Sequence, residues 1–140
     1  MSTLKFSEYL AESAVNSLPS VTILPGSHVD AVKNAMPEYG DAVRCASNGA
    51  VLYRAVKLSM NHSYAVDPKT GTRTSTNEHN HHTVLMSDIL PSWASYPRRD
   101  KSLCCTNSEY VALNYGRQVF VTLPHNGTTL AVAPLGDMWE

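Results

Sequence analysis

The chain has 140 residues, with 11 Lys plus Arg against 12 Asp plus Glu and a formal net charge of −1. That length builds one core of ordinary domain size, and the near-neutral balance excludes bulk charge attraction to nucleic acid or an anionic membrane. Hydrophobic content of 43% excludes a disordered chain, while only 16% charged residues leaves a surface of Ser, Thr, Asn and His. No run approaches the roughly 20 apolar residues that a membrane span needs. The N-terminus lacks a basic segment followed by an apolar one, so no secretory signal is expected. The three cysteines, Cys45, Cys104 and Cys105, include an adjacent pair. Adjacent cysteines rarely bridge, so a disulfide framework is not expected and a reducing cytoplasm fits. The sequons Asn61-His62-Ser63 and Asn126-Gly127-Thr128 read as chance in that setting.

Residues 5–16 place Phe6, Tyr9, Leu10 and Ala14 on one stripe, which predicts a first helix. Pro19 and Pro25-Gly26 break the chain after it. Ser27 caps a second helix with Val29, Val32 and Met36 on one face, expected to end at Pro37. Ser47-Asn48-Gly49 is a turn. Residues 51–58 read as a strand in which Leu52, Arg54, Val56 and Leu58 share a face, so Arg54 stands among apolar side chains. Residues 61–82 are polar and read as a long loop or a pair of hairpin arms. Residues 83–90 are a short apolar stretch, 91–97 are irregular and aromatic, and 101–106 predict a short strand.

Thr106-Asn107-Ser108-Glu109 matches a capping box, which predicts a short helix from Ser108 to Tyr115 ended by Gly116. Residues 117–123 and 128–133 predict two strands joined at Pro124-His125-Asn126-Gly127 as a hairpin. Helices first and strands later indicate a single α+β domain over 1–140, helical over 1–50 and β-rich over 51–140. Neither a Gly-x-Gly-x-x-Gly nor a Walker loop is present, so both standard phosphate cradles are missing from the sequence.

Three motifs in order carry a resemblance. Tyr53-Arg54-Ala55 lies on the first core strand, Leu103-Cys104-Cys105-Thr106-Asn107 on the next, and Ala112-Leu113-Asn114-Tyr115-Gly116 follows in the capped helix. Together they resemble the arginine-serine-glutamate class of mono-ADP-ribosyltransferases over roughly residues 45–134. That family has Tyr-Arg-Gly, then Phe-x-Ser-Thr-Ser running into a helix with Ala-x-x-Tyr, then a strand with a catalytic Glu. Cys105 and Asn107 stand where the family has serines, and Thr106 is retained.

The resemblance implies two small packed mixed or antiparallel sheets preceded by helices. It also implies NAD as cofactor and a protein side chain as acceptor. Arg54 is expected to hold the NAD phosphate or ribose, because a guanidinium forks two hydrogen bonds onto such oxygens. Thr106 and Cys105 are expected to line the nicotinamide pocket. Glu140 is the candidate for the carboxylate that stabilises oxocarbenium charge on the ribose. Tyr53, Trp93, Tyr96, Arg98 and Tyr115 complete the expected cofactor-binding set, with Trp93 or Tyr96 stacking on a ring. The last acids, Asp137 and Glu140, fall where the family's catalytic strand would start or lie further on, so either the third motif is replaced, or the chain is a piece of a longer protein, or the domain is not a transferase.

Other readings of the same residues stay open. Arg54 can pair with an acid at a sheet edge, and Cys104 and Cys105 can be small buried apolar residues. Trp93 and Tyr96 before Arg98-Arg99-Asp100-Lys101 can hold a ring and phosphates, or can pack on the core beside a solvated loop. Glu78-His79-Asn80-His81-His82 carries zinc-ligating side chains, although all lie in one short run. Two alternative functions follow: an inactive interaction or structural domain that keeps the scaffold, and a small metal-binding module using the His cluster.

Overall fold

The computed structural model describes residues 19–71 and 84–132. The fold is mixed α+β, with a few helices and two small antiparallel sheets. In chain order the main elements are β1 (Ser20–Leu24), α1 (His28–Ser47), β2 (Tyr53–Ala55), β3 (Ser63–Asp67), α2 (Glu109–Leu113) and β4 (Val119–Val121). One sheet pairs β1 with β3 and the other pairs β2 with β4. The chain divides into two compact units. One comprises Val21–Val66 and Cys104–Thr128, and the other is built on Asp67–Leu103. The predicted first helix over residues 5–16 lies outside the described residues.

In the first unit, Gly26 (φ 81°) turns the chain from β1 into α1. Ser27 caps α1 reciprocally: its Oγ accepts from the Asp30 N–H, and the Asp30 carboxylate accepts from the Ser27 N–H at 3.1 Å. The helix then passes Pro37 and continues to Ser47, ten residues beyond its expected end. Proline in a helix interior removes one backbone donor and crowds the preceding turn, at a cost of about 3 kcal/mol or more.

The distal loop meets the helix at the turn that follows Pro37. The Asn126 N–H donates to the Glu38 carbonyl at 2.7 Å. Asn126 Oδ1 accepts from the Asp41 N–H at 3.1 Å, and Asn126 Nδ2 donates to the Pro37 carbonyl at 3.4 Å. Asp41 N–H and Pro37 C=O are the donor and acceptor that an uninterrupted ladder joins to each other. The Asn126 amide therefore bonds the turn that follows Pro37, and His125 packs edge-on against Tyr39 with centroids 5.2 Å apart. Tertiary hydrogen bonds thus fasten the helix just beyond the local stop signal.

The same clasp accounts for a second difference from expectation. Residues 128–132 form no strand, so the hairpin expected around Pro124 is not made. Instead, β4 pairs antiparallel with β2, Arg54 opposite Phe120. The loop after β4 is turned onto α1 by Asn126.

Helix α1 is also tied at its start. His28 Nε2 lies 3.0 Å from the Met60 carbonyl and Nδ1 lies 2.6 Å from Ser63 Oγ. A carbonyl only accepts, so Nε2 carries the hydrogen. The predicted apolar stripe of Val29, Val32 and Met36 is exposed, and the buried positions are Ala31 and Gly40. Hydrogen bonds at His28 and Asn126 orient this helix, and the stripe does not.

Strand β2 is shorter than the predicted 51–58, but its ladder extends to both sides through Thr122 N–H to Leu52 O at 2.8 Å and Val56 N–H to Gln118 O at 2.9 Å. Residues 61–82 contain β3 and a 3-10 turn at Pro68–Thr70 rather than loop alone. Tyr64 of β3 meets Phe120 of β4 edge-to-face at 6.0 Å. The strand expected over 101–106 is reduced to a 3-10 turn at Arg99–Lys101 and a single bridge at Thr106.

The clasp predicts a measurable loss. Replacing Asn126 by Ala leaves the Asp41 N–H and the Pro37 carbonyl without this partner and lowers the unfolding free energy by about 1–3 kcal/mol. Urea denaturation of Asn126→Ala beside the wild type measures it; an unchanged midpoint would show that the helix bridges Pro37 unaided.

Candidate functional site

Strand β2 has a neighbour on each edge. On one side is β4. On the other, the Tyr53 N–H donates to the Thr106 carbonyl at 2.7 Å and the Thr106 N–H donates to the Tyr53 carbonyl at 3.0 Å. This reciprocal pair brings two segments distant in sequence side by side, as the Arg54 side chain then shows: its Nη1 donates to the carbonyl of Cys104, 50 residues on, at 2.6 Å. Arg54 is half-buried. A guanidinium with one donor fixed on a main-chain carbonyl is held in place rather than swinging through solvent.

The chain then turns from Thr106 into α2. Thr106 Oγ1 accepts from the Ser108 N–H at 3.2 Å, and Ser108 Oγ accepts from the Val111 N–H at 3.3 Å. Ser108, not Thr106, is therefore the N-cap, and the helix starts at Glu109, whose charge suits the positive end of the helix. Thr106 is the hinge of a hydroxyl turn that precedes the cap. Its hydroxyl accepts there, so its own hydrogen can serve a carboxylate or ribose oxygen.

Helix α2 packs on β2 and β4 through Ala112, which is 2% exposed. It ends at Leu113, earlier than the expected Tyr115. Gly116 then passes so close to β2 that a Cβ there would lie 3.3 Å from the Ala55 Cβ. Tyr115, 66% exposed, stands between these two points.

Tyr53, Arg54, Cys104, Cys105, Thr106 and Tyr115 thus belong to one unit, on β2 and on the segment it bridges. Cys104 and Cys105 are both exposed and neither forms a disulfide, so the reading of them as small buried residues is not met. The acceptor role of Cys104 was not visible in the sequence, because it belongs to a carbonyl that every residue carries.

Trp93, Tyr96 and Arg98 belong to the other unit. The Trp93 and Tyr96 rings lie 5.1 Å apart at 50°, with Tyr96 the more exposed. Arg98 forks onto Asp100 (Nε to Oδ1 3.0 Å, Nη2 to Oδ2 2.9 Å), while Nη2 lies 2.9 Å from Asp88 Oδ1 and Nη1 donates to the Ser87 carbonyl at 3.3 Å. A phosphate at Arg98 would have to displace two carboxylates. Lys101 Nζ donates to the Gly71 carbonyl at 2.7 Å. The basic run is largely internal bonding of this unit.

Burial alone raises the pKa of the Asp100 carboxyl, but the hydrogen bond and charge of Arg98 outweigh it and hold the group below its ordinary value. The same hydrogen bond raises Arg98, against the opposing effect of burial.

Glu140 and the Glu78–His82 cluster lie outside the described residues. Among the described residues no group of three His, Cys, Asp or Glu side chains is placed to hold a metal ion. Among them too, no helix is long and apolar enough to cross a membrane. A shallow depression on the first turns of α1, lined by His28, Val29, Val32 and Lys33, includes none of the predicted site residues. Comparison with family models, characterised proteins and solved structures returns no match.

The Arg98 clamp has a pH signature. Asp100 is depressed in the folded state, so its contribution is complete above the ordinary carboxyl range and is lost as pH falls through the folded value. Urea midpoints measured from pH 6 down to about pH 3 should therefore fall less steeply in Asp100→Asn than in the wild type. Parallel curves would remove Asp100 from the acid response.

Proposed function

We propose that the chain is an ADP-ribosyltransferase-like domain that binds NAD and serves transfer of ADP-ribose to a protein side chain. The observation that carries this reading is the lateral joining of Tyr53-Arg54-Ala55 to Cys104-Cys105-Thr106 through the Tyr53–Thr106 bond pair and the Arg54–Cys104 bond. The motif order read from the sequence needs these segments adjacent. The donor set also fits a dinucleotide: a held guanidinium for phosphate or ribose oxygens, and a threonine hydroxyl with a hydrogen to give.

NAD supplies the activated bond, between nicotinamide and ribose C1′. When that bond breaks, nicotinamide leaves, and the acceptor side chain bonds to C1′ and gives up its proton. In this reading Arg54 binds, Thr106 orients a carboxylate or ribose hydroxyl, and Glu140 is the candidate carboxylate. Arg98 is left out, because two carboxylates already hold it. The geometry in hand assigns no role to Trp93 or Tyr96.

A second reading, a scaffold that binds without turnover, is favoured by one observation. Cys105 occupies the place of a family serine, and a thiol is a weak hydrogen-bond donor for holding a carboxylate.

Binding of NAD by isothermal titration and release of nicotinamide from labelled NAD test both readings. The wild type is expected to bind NAD. Arg54→Ala is expected to bind at least about 10-fold more weakly, the scale of a charged hydrogen bond of about 1.5–3 kcal/mol, while Arg98→Ala binds as the wild type does. Binding with nicotinamide release supports the transferase, and binding without it supports the scaffold. No binding by the wild type, or equal binding by Arg54→Ala, rejects both.

A further inference from the structure

Cys104 and Cys105 sit at the contact between Arg54 and its strand neighbour, and both residues are exposed. Adjacent Cα atoms are about 3.8 Å apart, below the roughly 4.4–6.8 Å that ordinary disulfides span. A bond between neighbouring cysteines therefore closes a strained eight-membered ring. Strain makes such a bond a poor structural staple, and strained, exposed disulfides are the labile and regulatory ones.

The atoms of that ring matter here. It runs through Sγ, Cβ, Cα and C of Cys104 and then through N, Cα, Cβ and Sγ of Cys105. The carbonyl carbon of Cys104 is thus a ring member, and its oxygen is the acceptor that holds Arg54 Nη1 at 2.6 Å. The next residue, Thr106, makes both bonds to Tyr53. Closing the ring constrains the backbone angles on either side of the Cys104–Cys105 peptide unit, which set its orientation. A turn of that unit moves the Arg54 acceptor directly and pulls on the Tyr53–Thr106 pair.

We propose that Cys104 and Cys105 are an oxidative modification site: a reversible vicinal disulfide that detaches Arg54 from the Cys104 carbonyl. A hydroperoxide is the oxidant. The two thiols give up two protons and two electrons, one S–S bond forms, the O–O bond of hydrogen peroxide breaks, and two waters leave. A thiol reductant restores the pair through a mixed disulfide. The effect on NAD rests on the transferase-like reading above; the disulfide and its effect on the backbone do not.

The test treats the full chain with hydrogen peroxide and follows intact mass, peptide mass and amide hydrogen exchange. The expected result is loss of two hydrogens, mapped within the single peptide holding Cys104 and Cys105 and reversed by dithiothreitol. Exchange at the Tyr53 and Thr106 amides should rise about fivefold or more in the oxidised form, the factor for one lost hydrogen bond. Cys105→Ser should lose no hydrogens and keep the reduced exchange pattern, and Cys45→Ser should behave as the wild type. The proposal is overturned if the mass loss maps to Cys45, if the thiols only gain oxygen, or if the ring closes with exchange unchanged. NAD titration separates the two readings. Weaker NAD binding by the oxidised form supports control of the NAD site, and equal binding by both forms overturns it. If neither form binds NAD, the transferase-like reading fails, while mass and exchange still decide the disulfide.

Discussion

Two hydrogen bonds between Tyr53 and Thr106 organise the candidate site. They give the short strand β2 its second neighbour, where β4 alone would leave one edge open. They set the Cys104 carbonyl within reach of Arg54, and they fix the point from which the chain turns into α2. Ala112 can then bury against the sheet, and Gly116 can pass β2 at a distance that leaves little room for a side chain. If the bond pair opens, Arg54, the hydroxyl turn and the α2 packing lose their common reference.

The two units use charge differently. In the Asp67–Leu103 unit, Arg98 closes turns by bonding to Asp88, Asp100 and a carbonyl. Such partly exposed pairs contribute modestly to stability, and their main effect is to fix loop geometry. In the other unit, Arg54 is fixed by a neutral main-chain acceptor. A carbonyl contact carries no net charge, whereas the Asp88 and Asp100 carboxylates offset the charge of Arg98.

The legible parts of the fold were those set by local rules. Ser27 capped α1, Asn48-Gly49 made its turn, and the order of Arg54, Thr106 and the short helix carried over into a strand, a bridge and α2. The illegible parts were decided by partners far away in the chain. Pro37 is a stop signal by local rules, yet α1 continues past it, and the turn beyond is bonded by Asn126 from far along the chain. The missing hairpin has the same origin. Thr106 and Ser108 both satisfy a cap pattern, and the choice between them depended on where Thr106 was held by Tyr53. Within the site, side-chain identities were readable, but the Cys104 carbonyl was not, since main-chain acceptors leave no mark on a sequence.

The Asn126 clasp also carries a consequence for how the protein is made. Its bonds join residues 85 and 89 positions apart. A ribosome adding about 5–20 residues per second needs roughly 4–17 s to travel that far. Through that interval the nascent helix lacks the long-range bonds at Pro37, Glu38 and Asp41. Synthesis speed across residues 41–126 therefore sets how long the chain waits for the loop that fastens this turn.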